Sequence, residues 1–211
     1  MVLIIAGSGD AVMDVMDKWA AEGADLVRAN GHVCQLLRGA GRLRLRTRTE
    51  LTETPPRFLA YFGHGSTESL CSGPGGCRTI LHTGDCALLS GLVIYAAACN
   101  AAQGLGKAAC ASTCVGFLGF RDEILVPIAE TPSVTDQGFM EAFTEPVSAF
   151  VVDNLRLGEV LDRTKSVFRT KADQLAQPDF AGAICLEMAV AALCLADGSD
   201  SQARFASQSS P

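Results

Sequence analysis

Largely apolar runs recur along the chain at residues 2–6, 32–37, 57–62, 92–98 and 113–120. An apolar run of this length, closed off by glycine or polar residues, is the pattern of a strand buried on both faces of a sheet. Between the first two runs, Val12, Val15, Met16, Trp19 and Leu26 fall near helical spacing, with Asp10 placed to cap the start and Asn30-Gly31 to end it. Strand, helix, strand predicts a right-handed crossover and hence a parallel pair. Further helices are predicted over 101–111, 135–152, 156–175 and 180–195, with a short one over 83–89 capped by Thr83. In 39–56, Arg42, Arg44, Arg46 and Arg48 alternate with Leu43, Leu45 and Thr47, which predicts an edge strand or hairpin with one solvated basic face. The expected fold is α/β, a mostly parallel central sheet with helices on both faces. Residues 1–196 form one domain, and the Ser/Gln-rich stretch 197–211 is expected to be a flexible tail.

Composition narrows the partners. A hydrophobic content of 48% over 211 residues supports one large buried core. The net charge of −6 argues against a phosphate-tracking surface, so nucleic acid is not expected as a partner. No run approaches the ~20 apolar residues that span a bilayer, and the first run reaches Gly7 too soon for a signal sequence. Nine cysteines, an odd number, exclude an all-paired disulfide framework, so a reducing cytoplasm is expected. Gly7-Ser8-Gly9 lacks the third glycine of a nucleotide-binding turn and is followed by an acid where a phosphate would sit. No cofactor is expected.

The chemistry concentrates where two of the apolar runs end. Residues 57–62 lead into Gly63-His64-Gly65-Ser66, and residues 92–98 lead into Cys99-Asn100. Both ends lie at the carboxyl edge of a parallel sheet, where ligands bind. If the two strands are neighbours, an imidazole and a thiol share one crevice. A thiol nucleophile needs an imidazole to manage its proton and N–H donors for the oxyanion. Gly65 permits close backbone approach and can present its N–H, and the Cys99 N–H supplies a second donor. Taken singly, a cysteine at a strand end usually packs and a lone histidine usually makes a structural hydrogen bond. The pairing of the two strand ends favours catalysis.

Phe62-Gly63-His64-Gly65-Ser66, followed by Leu92-Val93-Ile94-Tyr95-Ala96-Ala97-Ala98-Cys99, resembles the caspase-like cysteine peptidases of clan CD, and most of all the bacterial CHAT or prokaryotic caspase type. The order of elements resembles that family over residues 2–120, and the specific motif is confined to 62–66 and 97–99. The resemblance implies a caspase-like three-layer sandwich, endopeptidase activity on a protein or peptide substrate, a His64–Cys99 dyad and Gly65 at the oxyanion site. It also implies a place in bacterial signalling or defence. Ala97-Ala98-Cys99-Asn100-Ala101 departs from the Gln-Ala-Cys motif of animal caspases, so the animal specificity machinery is not implied. In the family, a residue just past the first strand lines the pocket for the side chain before the scissile bond, and an acid there goes with cleavage after Arg or Lys. Asp10 stands at that point, with Asp122 and Glu123 as substitutes and helix capping as the plain alternative for Asp10. The segments 67–76 and 121–133 border the site and carry the Gly, Pro and charged residues of chain that orders on activation, by nicking or by a partner protein. The competing readings are a non-catalytic scaffold of the same fold and a zinc site built from Cys71, Cys77, His82 and Cys86, whose spacing lacks a tight Cys-x2-Cys knuckle.

Overall fold

Alternate residues of the central strands face opposite cores. In β1 (Val2–Ala6), Val2, Ile4 and Ala6 enter one apolar cluster, and Leu3 and Ile5 the other. β3 (Phe58–Phe62) and β7 (Val93–Ala97) divide the same way. That double burial is why these segments are apolar at every position. A computed structural model describes residues 1–39, 41–76, 78–128 and 134–205.

With β2 (Cys34–Leu37), β8 (Gly116–Phe120) and β9 (Leu193–Leu195), these strands form one sheet in the order β2-β1-β3-β7-β8-β9. Every pairing is parallel except β8 with β9. One face is covered by α1 (Ala11–Ala29), α4 (Val134–Val147), α5 (Leu157–Leu175) and α6 (Phe180–Ala192), and Trp19 stacks on Phe143 at 4.7 Å between ring centroids. The other face is covered by α2 (Leu43–Glu53), α3 (Leu105–Ser112), a 3-10 segment (Thr83–Leu89) and a small antiparallel sheet of β4 (His64–Gly65), β5 (Ser69–Ser72) and β6 (Arg78–His82). The result is the expected three-layer α/β sandwich. After Pro146, which has no N–H to donate, α4 passes into a π turn over Ser148–Val152.

Several expectations are corrected. The arginine-rich stretch is helical: Leu43, Thr47 and Leu51 are buried at a spacing of four, a period hidden beneath the Arg/Leu alternation. Arg44 and Arg48 are not simply solvated, because both engage the buried carboxylate of Asp85. The 3-10 segment is capped by His82, whose Nδ1 accepts from the Gly84 N–H at 2.9 Å, and not by Thr83. The last helix stops at Ala192, and the next residues form β9. The chain beyond 196 is not frayed as far as Phe205. Asp200 N–H donates to Val115 O at 2.8 Å, Leu157 N–H donates to Ala203 O at 2.9 Å, and Phe205 packs edge-on against Phe150 and His32. The rest of the expected tail, 206–211, lies outside the described residues.

Candidate active site

Phe62 and Ala97 are direct partners in the parallel β3–β7 pair, and Gly63 N–H donates to Ala97 O at 3.2 Å. His64 and Cys99 each follow two residues later, so they leave adjacent strands at the same carboxyl edge. The approach is closest at Gly65. A Cβ built there would lie 2.7 Å from both the Ala98 Cβ and the Cys99 carbonyl oxygen, so only glycine lets β4 cross the main chain of the cysteine.

The imidazole is held by an acid from a third strand. β1 also neighbours β3, and Gly7 N–H donates to Phe62 O at 2.9 Å, which brings the turn after β1 over the end of β3. There Asp10 Oδ2 lies 2.7 Å from His64 Nε2. A carboxylate only accepts, so Nε2 carries the proton of this bond. Asp10 Oδ1 accepts the Met13 N–H at 3.1 Å, capping α1, and Oδ2 also accepts the Gly75 N–H at 3.2 Å. Partial burial pushes the Asp10 carboxyl upward, but the bonds from His64, Met13 and Gly75 outweigh it and hold the group below the usual carboxylate range. Asp10, expected to line a specificity pocket, therefore reaches the predicted edge but is turned onto the imidazole, while also serving as the helix cap.

The main chain around His64 is braced as well. The buried Tyr61 hydroxyl contacts the carbonyls of His64 and Cys71, residues that pair across β4 and β5. Segment 67–76, expected as a gating loop, contains β5, and its continuation is tied to the turn after β1 by Gly73 N–H to Ser8 O at 2.7 Å and Ser8 N–H to Ser72 Oγ at 3.0 Å. Ser66 Oγ accepts the Glu68 and Ser69 N–H groups and closes the β4–β5 turn.

Cys99 sits on a sharp turn. Asn100 has φ 58°, its N–H donates to Asp122 O at 3.2 Å, and the Cys99 Sγ accepts the Ile124 N–H at 3.4 Å. Burial pushes the thiol upward and the Glu123 carboxylate adds to this, while the N–H groups of Ile124 and of Cys99 itself pull the other way. The net effect favours the protonated thiol over the thiolate. Among the described residues the thiol's partners are main-chain groups, and it makes no hydrogen bond to the imidazole. Asp122 and Glu123 follow β8 at the same edge; both are exposed, and Asp122 is 3.8 Å from the guanidinium of Arg121. Residues 129–133 of the second expected gating segment lie outside the described residues.

The zinc alternative gains no support. Among the described residues no group of three or more His, Cys, Asp or Glu side chains is placed to hold a metal. Cys71 Sγ lies against Ser69 Oγ, His82 caps the 3-10 segment, and Cys86 is in the core. Cys77 lies outside the described residues. No helix among them is long and apolar enough to cross a membrane.

No protein-family model matches the sequence, and no curated protein sequence matches it. The fold is similar to solved structures. The Arg-specific cysteine proteinase gingipain R matches with TM-score 0.61 at 12% identity, over 96% of this chain and 47% of that one. A complex of the pro- and mature domains of Porphyromonas gingivalis RgpB matches with TM-score 0.62 at 14% identity, over 96% of this chain and 48% of that one. The chain thus spans about half the length of the proteins it resembles, and at these identities the likeness shows a shared fold.

Proposed function

We propose that the protein is a cysteine endopeptidase of clan CD, of the CHAT or prokaryotic caspase type, with Cys99 as nucleophile, His64 as acid and base, and Asp10 as the carboxylate that orients the imidazole. The observation that carries this reading is the 2.7 Å bond between His64 and Asp10, made beside the in-register strand ends that deliver His64 and Cys99 to one edge. The fold shared with two cysteine proteinase structures supports it.

In this reading His64 Nδ1 takes the Cys99 proton as sulfur attacks the substrate carbonyl, and the new imidazolium is stabilised by Asp10. The oxyanion is received by the N–H groups of Gly65 and Cys99. Collapse of the tetrahedral intermediate breaks the peptide bond as the imidazolium protonates the departing amine, leaving an acyl-enzyme. Water, deprotonated by His64, hydrolyses that thioester and restores the thiol. Burial and Glu123 both oppose the thiolate, and in this reading His64 supplies the base.

The scissile bond is assigned to the carbonyl side of arginine, less readily of lysine. Asp10 is spent on His64, so the acids that remain at the edge, Asp122 and Glu123, are the ones to pair with a guanidinium. A cation beside Glu123 also offsets the charge that holds the Cys99 proton, so the correct substrate eases formation of its own nucleophile. Gingipain R, whose fold this chain shares, is itself Arg-specific. A partner protein or nicking as activator, a cytoplasmic setting and a role in bacterial defence belong to the same proposal. The test compares reporter peptides ending in Arg, Lys and Asp with the wild type and with Cys99→Ala. Cleavage after Arg that vanishes in the variant is expected. Preference for Asp sinks the specificity assignment, and undiminished cleavage by Cys99→Ala sinks the mechanism.

A further inference from the structure

α6 lacks the polar face of a surface helix. Over Phe180–Ala192 only Glu187 is charged, and the rest of the helix is apolar or small on every side. One side, with Leu186, Ala189 and Val190, is buried in the core. On the other, Phe180, Ile184 and Met188 follow one another at a spacing of four and are 69, 45 and 46% exposed. A helix that is apolar all round is ordinarily a buried one, yet among the described residues this side is open.

The stripe lines an open groove of about 470 Å³ between α6 and the end of α5. Where the lining is buried it is small, Ala172 and Ala183, which leaves depth for an incoming side chain. Where it is exposed it is long and apolar, and the unbranched chain of Met188 adapts to the shape it meets. The charged residues of the lining, Asp173 and Glu187, are both acids and both exposed. The complementary occupant is therefore apolar along one stripe and basic beside it, the make-up of an amphipathic helix laid into a groove. A second copy of this chain fits less well. It would set one acidic rim against another, and three exposed side chains are a small part of the ~800 Å² that each partner buries in a standard interface. The groove also leads toward the candidate site. Ala191 lines it, and Arg121 donates from Nη2 to Ala191 O at 3.1 Å and from its N–H to Ala192 O at 2.9 Å, which sets the end of α6 against the turn that carries Asp122 and Glu123.

We propose that the α5–α6 groove is an exosite for a basic amphipathic helix of the substrate protein, held so that the adjoining chain reaches the Asp122–Glu123 edge. That the helix belongs to the substrate rests on the peptidase reading above; the docking surface does not. One polypeptide then meets acids twice, beside its helix and at the arginine before the scissile bond. Docking away from the reacting bond holds ground state and transition state alike, so it lowers KM and leaves kcat unchanged.

Binding is measured by fluorescence anisotropy on Cys99→Ala protein. The probes are a labelled helical peptide with Leu along one face and Lys on the other, a scrambled peptide of the same composition, and a peptide with Glu in place of Lys. The Lys peptide is expected to bind and neither control is. Ile184→Asn, which changes no charge, is expected to weaken binding roughly tenfold or more, and Phe180→Ser supplies a second variant at a more exposed position. Equal binding of the scrambled peptide, or binding unchanged in both folded variants, overturns the proposal. Sedimentation of the protein alone and with phosphatidylcholine vesicles tests the other occupants: a dimer, or vesicle binding, that Ile184→Asn abolishes also overturns it. An Arg reporter is then offered to the active protein with and without the Lys peptide joined to it. The joined reporter is expected to show a KM lower by roughly tenfold at the same kcat. That advantage is expected to vanish in Ile184→Asn, while the bare reporter is cleaved equally by both proteins. Equal KM values for the two reporters overturn the substrate assignment. Cleavage of neither strikes the peptidase reading and leaves the binding result standing.

Discussion

The two edges of the parallel sheet are built to different rules. At the carboxyl edge, β1, β3, β7 and β8 run out into tight turns whose polar groups stay partly exposed: Asp10, His64, Cys99 and the 121–124 segment. Gly9 and Asn100 are held there at positive φ, 132° and 58°, conformations that ordinary side chains avoid. At the amino edge the main chain is tied to neighbouring segments. Arg57 N–H donates to Met1 O, and residues 199–205 fold across the start of β8, where Ser199 Oγ accepts the Phe117 N–H at 3.1 Å. The carboxyl edge brings a carboxylate, an imidazole and a thiol to neighbouring strand ends, whereas the amino edge is occupied by later residues of the same chain.

The sharpest way to break this contrast is Cys99→Ala, which is expected to reduce peptide cleavage by several orders of magnitude, with the melting temperature shifted only slightly. Large unfolding would make Cys99 a packing residue like its counterparts in the core. Asp10→Asn comes next. The amide retains a cap for α1 but no longer fixes the imidazole tautomer, and kcat is expected to fall by roughly 10²–10⁴. The same variant sharpens the pH argument. The Asp10 carboxyl is depressed in the folded state, so its contribution is present above the unfolded carboxylate value and lost as pH falls through the folded one. Urea titrations at descending acidic pH should therefore show a stability loss that is smaller in Asp10→Asn.

A milder change is expected from Glu123→Gln, which removes a charge that raises the Cys99 thiol. The midpoint of its iodoacetamide reactivity should move to lower pH, and the preference for Arg over neutral reporters should shrink. An unmoved midpoint would place Glu123 outside the field of the sulfur. The smallest effect belongs to the amino edge. Ser199→Ala removes the hydroxyl that ties residues 199–205 to β8, and should cost about 1 kcal/mol of stability while leaving kcat/KM unchanged. A change in kcat/KM would show that the two edges communicate.

Much of this architecture was readable along the chain because the parallel strands are buried on both faces and so are apolar at every position, whatever their neighbours. The ends of 57–62 and 92–98 marked His64 and Cys99 for the same reason: the apolar run stops where the sheet does. What failed was whatever depended on a contact distant in sequence. The arginine-rich stretch is a helix because Leu43, Thr47 and Leu51 find a core and Asp85 meets two of the arginines, facts carried by other elements. β9 is too short to announce itself, and it pairs only because β8 offers an open edge. The packed run to Phe205 has no periodic pattern, since it is held by single hydrogen bonds and two aromatic contacts. The role of Asp10 is the clearest case. Its identity and its place after the first strand were legible, and they put it at the site edge. The sheet order β1-β3-β7 alone decided that its neighbour would be His64, and a carboxylate 2.7 Å from an imidazole nitrogen is held there by a hydrogen bond.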